Sequence, residues 1–315
     1  MRRSELLKRA VRDIEVPGKG GVAGLVAQME AGGGFTAKKV AVGVDILREM
    51  FRDPRCVTFL SFPAALVATG VRGVLRTLVE RKLVDAVITT CGTADHDLAR
   101  VWRDYYHGEF EMDDVRLHRL GVNRLGNVLV PNESYGIVLE KKLQPWLRAM
   151  AREKKGWSTC ELLWEFGRRA GSRESILYWC WKNRVPVIVP AITDGSVGYQ
   201  LWSFWQEHRD FRIEEFRDET ALSDLVFTAK RAGALMIGGG VSKHHTIWWS
   251  QFRGGLDLAV YITTAPESDG SLSGARVREG ISWGKVKEDA RQITIEGDAS
   301  ALLPLMIAAA LERPR

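Results

Sequence analysis

The chain has 315 residues, of which 45 are Lys or Arg and 39 are Asp or Glu, so its formal net charge is +6. Hydrophobic residues make up 45% and charged residues 27%, which excludes a wholly disordered chain and is typical of a globular protein. The four cysteines have no Cys-x-x-Cys spacing, which argues against a disulfide scaffold and a structural zinc site, so we expect a soluble cytoplasmic protein.

Glycine clusters loosen the beginning of the chain, at residues 18–24 and 31–34. They predict an N-terminal arm over residues 1–34, which could dock on a neighbouring subunit, followed by a single catalytic domain over residues 35–315. The first fifteen residues mix acids and bases along a helical pattern and do not resemble a signal peptide. From Thr36 onward the spacing of apolar residues predicts a helix.

A unit of strand, loop and helix recurs along the rest of the chain. Strands are predicted over residues 56–60, 85–90, 186–190, 234–237, 258–262 and 293–295. Because these runs are apolar on both faces and alternate with helices, the fold class is predicted as α/β, with a doubly wound, mostly parallel sheet and helices on both faces. Such sheets bind ligands outside the carboxyl ends of their strands, so the polar residues that follow the strands should meet in one crevice.

Two features near predicted strand ends suit a nucleotide. Gly238-Gly239-Gly240 follows a strand and opens a helix, where glycines let the backbone approach a phosphate and the helix N-terminus supplies N–H donors. The spacing is not G-x-G-x-x-G, so a tight strand-to-helix turn is the alternative. Asp298 follows the strand at 293–295, where a carboxylate could bond ribose hydroxyls or could cap the helix that begins near Ser300.

Two short segments could supply reactive groups. In Lys243-His244-His245, a histidine that faces the crevice could act as a base, and a packed or capping histidine is the alternative. In Ser282-Trp283-Gly284-Lys285, the indole could desolvate the lysine, lower its pKa and make it a nucleophile toward an imine. The alternative for Lys285 is a surface lysine at the edge of a strand or helix.

The remaining charged residues indicate no metal, nucleic-acid or membrane partner. The acids that follow strands could bind a polycation but lack the close spacing of metal ligands; they are Asp95, Asp97, Asp194, Glu267, Asp269 and Glu279. The basic stretch 141–155 is interpreted as an amphipathic helix with Trp146, Leu147 and Met150 turned inward, rather than as a nucleic-acid surface. The longest nearly unbroken apolar stretch, 301–311, is about half a membrane span.

Six segments of the chain together resemble the deoxyhypusine synthase family. They are GALMIGGGVSKHH (233–245), LAVYITTAPESDGSLSGARVREGISWGKVKEDA (258–290), NRLGNVLVPNESY (123–135), SILYWCWKNRVPVIVPAITDGSVG (175–198), VDAVITTCGTADHDL (84–98) and GDASALLPL (297–305). The resemblance extends in consecutive order from about Phe35 to Leu311, and the SWGK and GGGV-x-KHH elements are specific to that family.

The resemblance implies an NAD-dependent transfer without net redox change. In the family, NAD⁺ takes a hydride from spermidine beside its secondary amine, and an active-site lysine then holds the 4-aminobutyl group as an imine. That group passes to one lysine of the precursor of translation initiation factor 5A and is reduced there to deoxyhypusine, the first step of hypusine biosynthesis. The family fold is a Rossmann-like α/β subunit that forms a homotetramer with sites at subunit interfaces.

The resemblance also implies roles for individual residues. Lys285 is implied as the nucleophile and His244 as the general base. The implied NAD contacts are Thr90, Gly92, Asp194, Gly239, Thr264, Ala265, Asp298 and Ala299. The implied polyamine contacts are Asp95, Gly270, Ser271, Glu279 and Trp283. No metal is implied.

Several positions depart from the family pattern. His96, Tyr199 and Leu272 stand where the eukaryotic pattern has carboxylates that bind the polyamine, so spermidine binding should be weaker or the choice of amine different. Glu267 and Asp269 could replace the missing acids, and Ala64 and Ala65 replace polar residues at a cofactor-contacting segment. Two alternatives therefore stay open: an aminobutyltransferase with a small amine acceptor, of the homospermidine synthase kind, and a catalytically silent NAD-binding interaction protein.

Overall fold

A computed structural model describes residues 7–16 and 20–312. Its centre is a six-stranded sheet with the order β11-β10-β9-β1-β2-β7, in which every neighbouring pair is parallel. The strands are β1 (Cys56–Ser61), β2 (Ala86–Ile88), β7 (Val187–Ile188), β9 (Arg231–Ile237), β10 (Leu256–Thr263) and β11 (Val286–Glu296). The predicted α/β class and parallel sheet are confirmed.

Helices cover both faces of this sheet. They are α1 (Gly21–Gly32), α2 (Phe35–Arg52), α3 (Arg72–Glu80), α4 (Cys91–Trp102), α5 (Asp114–Arg119), α6 (Gly136–Glu153), α7 (Thr159–Ala170), α8 (Ile176–Asn183), α9 (Ser196–Glu207), α10 (Phe216–Thr228), α11 (Gly240–Ser250) and α12 (Ala299–Leu311). Short 3₁₀ turns precede α3 and α6, and another spans Val277–Trp283 before β11.

The central strands are buried on both sides because alternate residues enter two different apolar clusters. Leu235 and Val260 belong to the larger cluster, which contains residues of α2 and α12. Their chain neighbours Met236 and Tyr261 belong to the smaller cluster, with residues of α10, α11 and the 3₁₀ turn. Side chains of a strand alternate between its faces, so a run that is apolar throughout requires cover on both. This is the physical reason why the runs predicted central strands.

The beginning of the chain packs on the domain that follows it. Helix α1 buries Val26 and packs on α2 and α12. Residues 7–16 run beside α1, and the Arg12 amide donates to the Ala31 carbonyl at 3.1 Å. Residues 1–6 and 17–19 of the predicted arm lie outside the described residues, and docking on a neighbouring subunit stays a prediction.

The helix predicted within 141–155 is confirmed as part of α6. Leu147 and Met150 are fully buried, and the half-buried Trp146 packs against Trp102 and Phe166. Its apolar side therefore faces the core as expected. Among residues 7–16 and 20–312, no helix is both long and apolar enough to cross a bilayer.

The sequence did not predict a small three-stranded sheet between α4 and α6. Its order is β3-β5-β4, formed by Tyr106–His107, Val128–Pro131 and Val122–Leu125, and its pairs are antiparallel. A two-stranded parallel sheet, β6 (Gly156–Trp157) with β8 (Arg212–Ile213), was also not predicted. The three-stranded sheet matters for the site because the hairpin turn between β4 and β5, residues 125–128, lines a cavity at the carboxyl ends of the main strands.

Candidate active site

A cavity of about 570 Å³ lies at the carboxyl ends of β1, β9, β10 and β11; we call it the edge cavity. Four of the residues implied as NAD contacts line it, namely Thr264, Ala265, Asp298 and Ala299. Leu125 and Val128 from the small sheet, and Phe110 from the loop after β3, form another wall. Residues that follow these four strands thus meet in one cavity, as expected at the carboxyl edge of a parallel sheet, whereas Thr90 and Asp194 after β2 and β7 do not line it.

The turn between β9 and α11 supports the nucleotide interpretation of this cavity. Gly238 has φ 61°, a left-handed conformation that glycine adopts without strain, and it lines the cavity. A Cβ at Gly239 would approach the Ser273 hydroxyl oxygen to 2.2 Å, so only glycine fits there. No side chain caps α11, which leaves its first N–H groups available to a phosphate. The donor set therefore suits a dinucleotide.

Asp298 is the N-cap of α12 and also lines the edge cavity. Its Oδ1 accepts a hydrogen bond from the Ser300 amide at 2.5 Å, which is the capping role considered from the sequence. The bonds from Ser300 lower the pKa of this carboxyl, so it is ionised at neutral pH. An ionised carboxylate at this position could also accept bonds from ribose hydroxyls, which stays a prediction.

The other implied NAD contacts do not line the edge cavity. The Thr90 hydroxyl accepts a hydrogen bond from the Ala64 amide at 3.3 Å. Gly92 packs on Ala64, where an added Cβ would approach the alanine methyl to 2.8 Å. Asp194 is exposed in the loop after β7. All three follow strands β2 and β7 at the same edge of the sheet.

A second cavity of about 340 Å³ surrounds Lys285; we call it the Lys285 cavity. Lys285 is 8% exposed, and its Nζ lies 5.2 Å from the ring centroid of Trp283 and 5.7 Å from that of Trp248. Gly284, with φ 67°, has a left-handed conformation that glycine adopts without strain, and its neighbours Trp283 and Lys285 both line the cavity. The lysine is therefore held between two indole rings and is not at the surface.

His244 and Glu279 also line the Lys285 cavity. The His244 ring stacks on Trp248, with centroids 5.7 Å apart. Burial and then the charge of Lys285 lower the pKa of His244, so its imidazole is neutral and can accept a proton at neutral pH. Among residues 7–16 and 20–312 we find no group of three or more His, Cys, Asp or Glu side chains that could hold a metal ion.

Known proteins resemble this chain over almost its whole length. A family model described as deoxyhypusine synthase matches residues 24–310. The chain belongs to the deoxyhypusine synthase family. A probable deoxyhypusine synthase from Picrophilus torridus is 56% identical over 308 residues, covering 98% of this chain and 99% of the relative. One from Thermoplasma acidophilum is 52% identical over 308 residues, with the same coverage.

The fold is shared with a solved structure of the same family name. A candidate deoxyhypusine synthase from Entamoeba histolytica has a TM-score of 0.69 at 19% identity, covering 97% of this chain and 98% of that one. The relatives that match this chain over almost their full length are named as probable deoxyhypusine synthases, so this chain is a transferase.

Asp95, which the family resemblance implies as a polyamine contact, lines neither the edge cavity nor the Lys285 cavity. It is fully buried and accepts hydrogen bonds from the amides of Ser196 (2.8 Å) and Val197 (2.7 Å) at the start of α9, and from the Tyr135 hydroxyl (2.6 Å). Burial raises the pKa of Asp95 despite these bonds. In this chain the carboxyl is thus engaged in holding α9.

The three departures from the eukaryotic deoxyhypusine synthase pattern lie in two different places. Leu272 lines the Lys285 cavity. His96 and Tyr199 line a third cavity of about 650 Å³, which also contains Tyr135 and Ser196; we call it the His96 cavity. Burial lowers the pKa of His96 to about 4, so this position holds a neutral ring at neutral pH.

The two acids considered as substitutes are engaged by their own chain. Glu267 pairs with Arg276 at 3.1 Å and with Arg278 at 3.2 Å. Asp269 accepts hydrogen bonds from the Ser271 amide (2.7 Å) and hydroxyl (3.0 Å), which fixes the turn of Gly270 and Ser271. Gly270 and Ser271 themselves lie in the loop after β10 and line neither the Lys285 cavity nor the edge cavity.

Sequence reasoning missed three contributors to the site. Trp248 forms the second indole wall, Phe110 lies over the edge cavity, and Lys243 is buried next to His244. Trp248 follows His244 by four residues and so lies on the same face of α11, which was a usable signal. Phe110 belongs to a segment with no clear strand pattern, and nothing in the sequence separates a buried lysine from an exposed one.

Proposed function

We propose that this chain transfers the 4-aminobutyl group of spermidine, in an NAD-dependent reaction, to one lysine of the translation initiation factor 5A precursor, forming deoxyhypusine. The observation that carries the proposal is the setting of Lys285, whose Nζ lies between two indole rings in a cavity that also contains a neutral histidine. Family membership supports the choice of substrates.

The edge cavity is the proposed NAD site. Thr264, Ala265 and Ala299 would line it, Asp298 would bind ribose, and the uncapped start of α11 at Gly239 would bind the pyrophosphate. Thr90, Gly92 and Asp194 would complete its rim. When bound, NAD would supply a hydride acceptor next to the amine substrate and return the hydride later, so the transfer needs no external oxidant.

In the proposed transfer, Lys285 acts as nucleophile and His244 as base. His244 takes the proton that Lys285 Nζ must lose. Nζ then forms a bond to the imine carbon of the oxidised donor, while the bond from that carbon to the nitrogen of 1,3-diaminopropane breaks. The acceptor lysine displaces Lys285 by the same exchange. Glu279 would balance the charge of the amine, and Trp283 would bind it by a cation–π contact.

We further propose that the active form is a homo-oligomer, and specifically a tetramer. Several aromatic side chains beside the cavities are open to solvent in the single chain: Trp283 is 67% exposed, Tyr199 58% and Trp202 53%. Large exposed aromatic groups at cavity mouths are typical of surfaces that another subunit covers. Such packing would place Gly270, Ser271 and the His96 cavity, with Asp95 behind it, near bound amine. Sedimentation velocity of the purified protein tests this.

The central experiment is a trapping assay. The protein is incubated with NAD⁺, labelled spermidine and the purified factor precursor, and borohydride is then added. We expect label on Lys285 and on the factor. Lys285→Ala should abolish the adduct and leave NAD binding unchanged, whereas the exposed Lys230→Ala serves as the matched control and should behave as wild type.

Each other outcome of this assay counts against the proposal in a defined way. Label on Lys285 and on free diamine, but not on the factor, would favour the small-acceptor transferase of the homospermidine synthase kind. Absence of label on Lys285 while NAD still binds would exclude spermidine as donor. Transfer that persists in Lys285→Ala would refute the assignment of the nucleophile.

A further inference from the structure

A lysine next to the proposed base is buried without any role in the proposed reaction. Lys243 lies in the first turn of α11 and is 2% exposed. Its ammonium donates hydrogen bonds to the carbonyl oxygens of Leu272 at 2.8 Å and Ala275 at 2.5 Å, and lies 3.7 Å from the ring centroid of Tyr261. Burying a charge is unfavourable unless it is fully bonded, so these contacts indicate a specific use of this lysine.

Both carbonyls belong to the loop of residues 271–276, which we call the wall loop. A third carbonyl of the loop, that of Ser273, accepts hydrogen bonds from the Tyr261 hydroxyl (2.7 Å) and the Thr263 hydroxyl (2.9 Å). Gly239 leaves no space between the loop and the glycine turn. The wall loop is therefore bound by two independent sets of donors, one from α11 and one from β10.

The wall loop separates the two cavities of the proposed reaction. Leu272 and Ala275, whose carbonyls Lys243 binds, line the Lys285 cavity. Ser273, whose carbonyl the β10 hydroxyls bind, lines the edge cavity. Each donor set thus holds the part of the loop that faces one cavity.

We propose that Lys243 is a positioning residue, whose ammonium fixes the wall loop so that Leu272 and Ala275 form the side of the Lys285 cavity against which the amine donor binds. The expected effect of Lys243 on binding of the amine donor rests on the proposed function, whereas its expected effect on the order of the wall loop does not. Burial lowers the pKa of Lys243 to about 8, and the neutral amine would still have two N–H donors for the two carbonyls.

The structural consequence is tested by hydrogen–deuterium exchange, which needs no activity. The amides of Gly274 and Ala275 bond to the Ser271 carbonyl within the wall loop, so their exchange reports its opening. In Lys243→Met, which keeps the length and apolar part of the side chain, we expect exchange in this loop to rise by about tenfold or more, because two carbonyls lose their donor. Lys230→Met is the control and should leave this exchange unchanged.

The kinetic consequence is tested by comparing Lys243→Met with Tyr261→Phe, which keeps the ring under the ammonium and removes only the bond to Ser273. We expect Lys243→Met to raise KM for the amine donor by about tenfold while the Kd of NAD changes by less than about threefold. Tyr261→Phe should instead raise the Kd of NAD more than the KM for the amine donor. A merely structural role for Lys243 would affect both constants alike.

Unchanged exchange in the wall loop of Lys243→Met would overturn the proposal, as would equal changes of donor KM and NAD Kd in both variants. If wild type labels neither Lys285 nor the factor, the proposed function fails. The exchange measurement then still decides whether Lys243 holds the wall loop, so the two failures are distinguishable. A variant that is unfolded by circular dichroism is replaced by Lys243→Gln, which retains a donor and should show an intermediate rise in exchange.

Discussion

Lys243 and Lys285 line the same cavity, yet their ammonium groups have opposite surroundings. That of Lys243 donates to two backbone carbonyls. That of Lys285 faces two indole rings, and within residues 7–16 and 20–312 no carbonyl or carboxylate accepts a hydrogen bond from it. The hydrogen bonds of Lys243 hold a loop in place, whereas Lys285 has no such bonds to the described part of the chain to break before its nitrogen reacts. The difference separates a positioning lysine from a proposed nucleophile.

The largest expected effect comes from replacing Lys285 by arginine. Arg keeps a positive charge between the indoles but its guanidinium cannot form an imine with the substrate. We expect Lys285→Arg to lower the rate of transfer by more than about 1,000-fold, with NAD binding retained. Steady-state transfer and equilibrium NAD binding measure the two quantities. If Lys285→Arg kept more than a tenth of the wild-type rate, the lysine would act only through its charge.

Lys243 should instead affect stability in a pH-dependent way. Burial lowers its pKa from 10.5 to about 8 in the folded state, so between pH 8 and 10.5 the unfolded chain binds more protons. The free energy of unfolding should therefore rise with pH across this window, by up to about 3 kcal/mol from this group. Below pH 8 both states are protonated and the contribution does not change.

This stability effect is measured as a difference between two proteins, because tyrosines and cysteines also titrate at high pH. Chemical denaturation of wild type and Lys243→Met at pH 7.5 and 10 gives the two free energies. The gap between them should shift in favour of wild type as the pH rises. A gap that stays constant would mean that Lys243 is solvated, contrary to its burial, and Lys230→Met should show no shift.

The sequence predicted the sheet well because its signal is local. Each run at 56–60, 234–237 and 258–262 is apolar on both faces and became a central strand. The small sheet was missed because its strands have two to four residues and only Val130 among them is buried, so they lack a clear pattern of burial. Short strands of this kind are specified by their partners rather than by their own residues.

The site was predictable only where one motif supplies several of its parts. Lys285 and Trp283 belong to one short segment, and His244 lies on the first turn after the glycines. The structure brings all three to one cavity, and their roles stay a prediction. Asp95 shows the limit, because its partners at Ser196 and Val197 are about a hundred residues away in the chain. Lys243 shows the same limit, since it is buried by contacts with Leu272 and Ala275, about thirty residues away in the chain.

The smallest expected effect concerns His244, which follows Lys243 in the chain and lines the same cavity as Lys285. Burial is the main cause of the lowered pKa of His244, and the charge of Lys285 is the second. In Lys285→Met the pKa of His244 should therefore rise but stay below 6.5, since burial remains. Titration of the His244 ring protons by NMR, in wild type and variant, measures this shift. Lys230→Met should leave the titration unchanged. An unaltered pKa in Lys285→Met would show that the two side chains do not interact, and His244 would then lose its place as the base for Lys285.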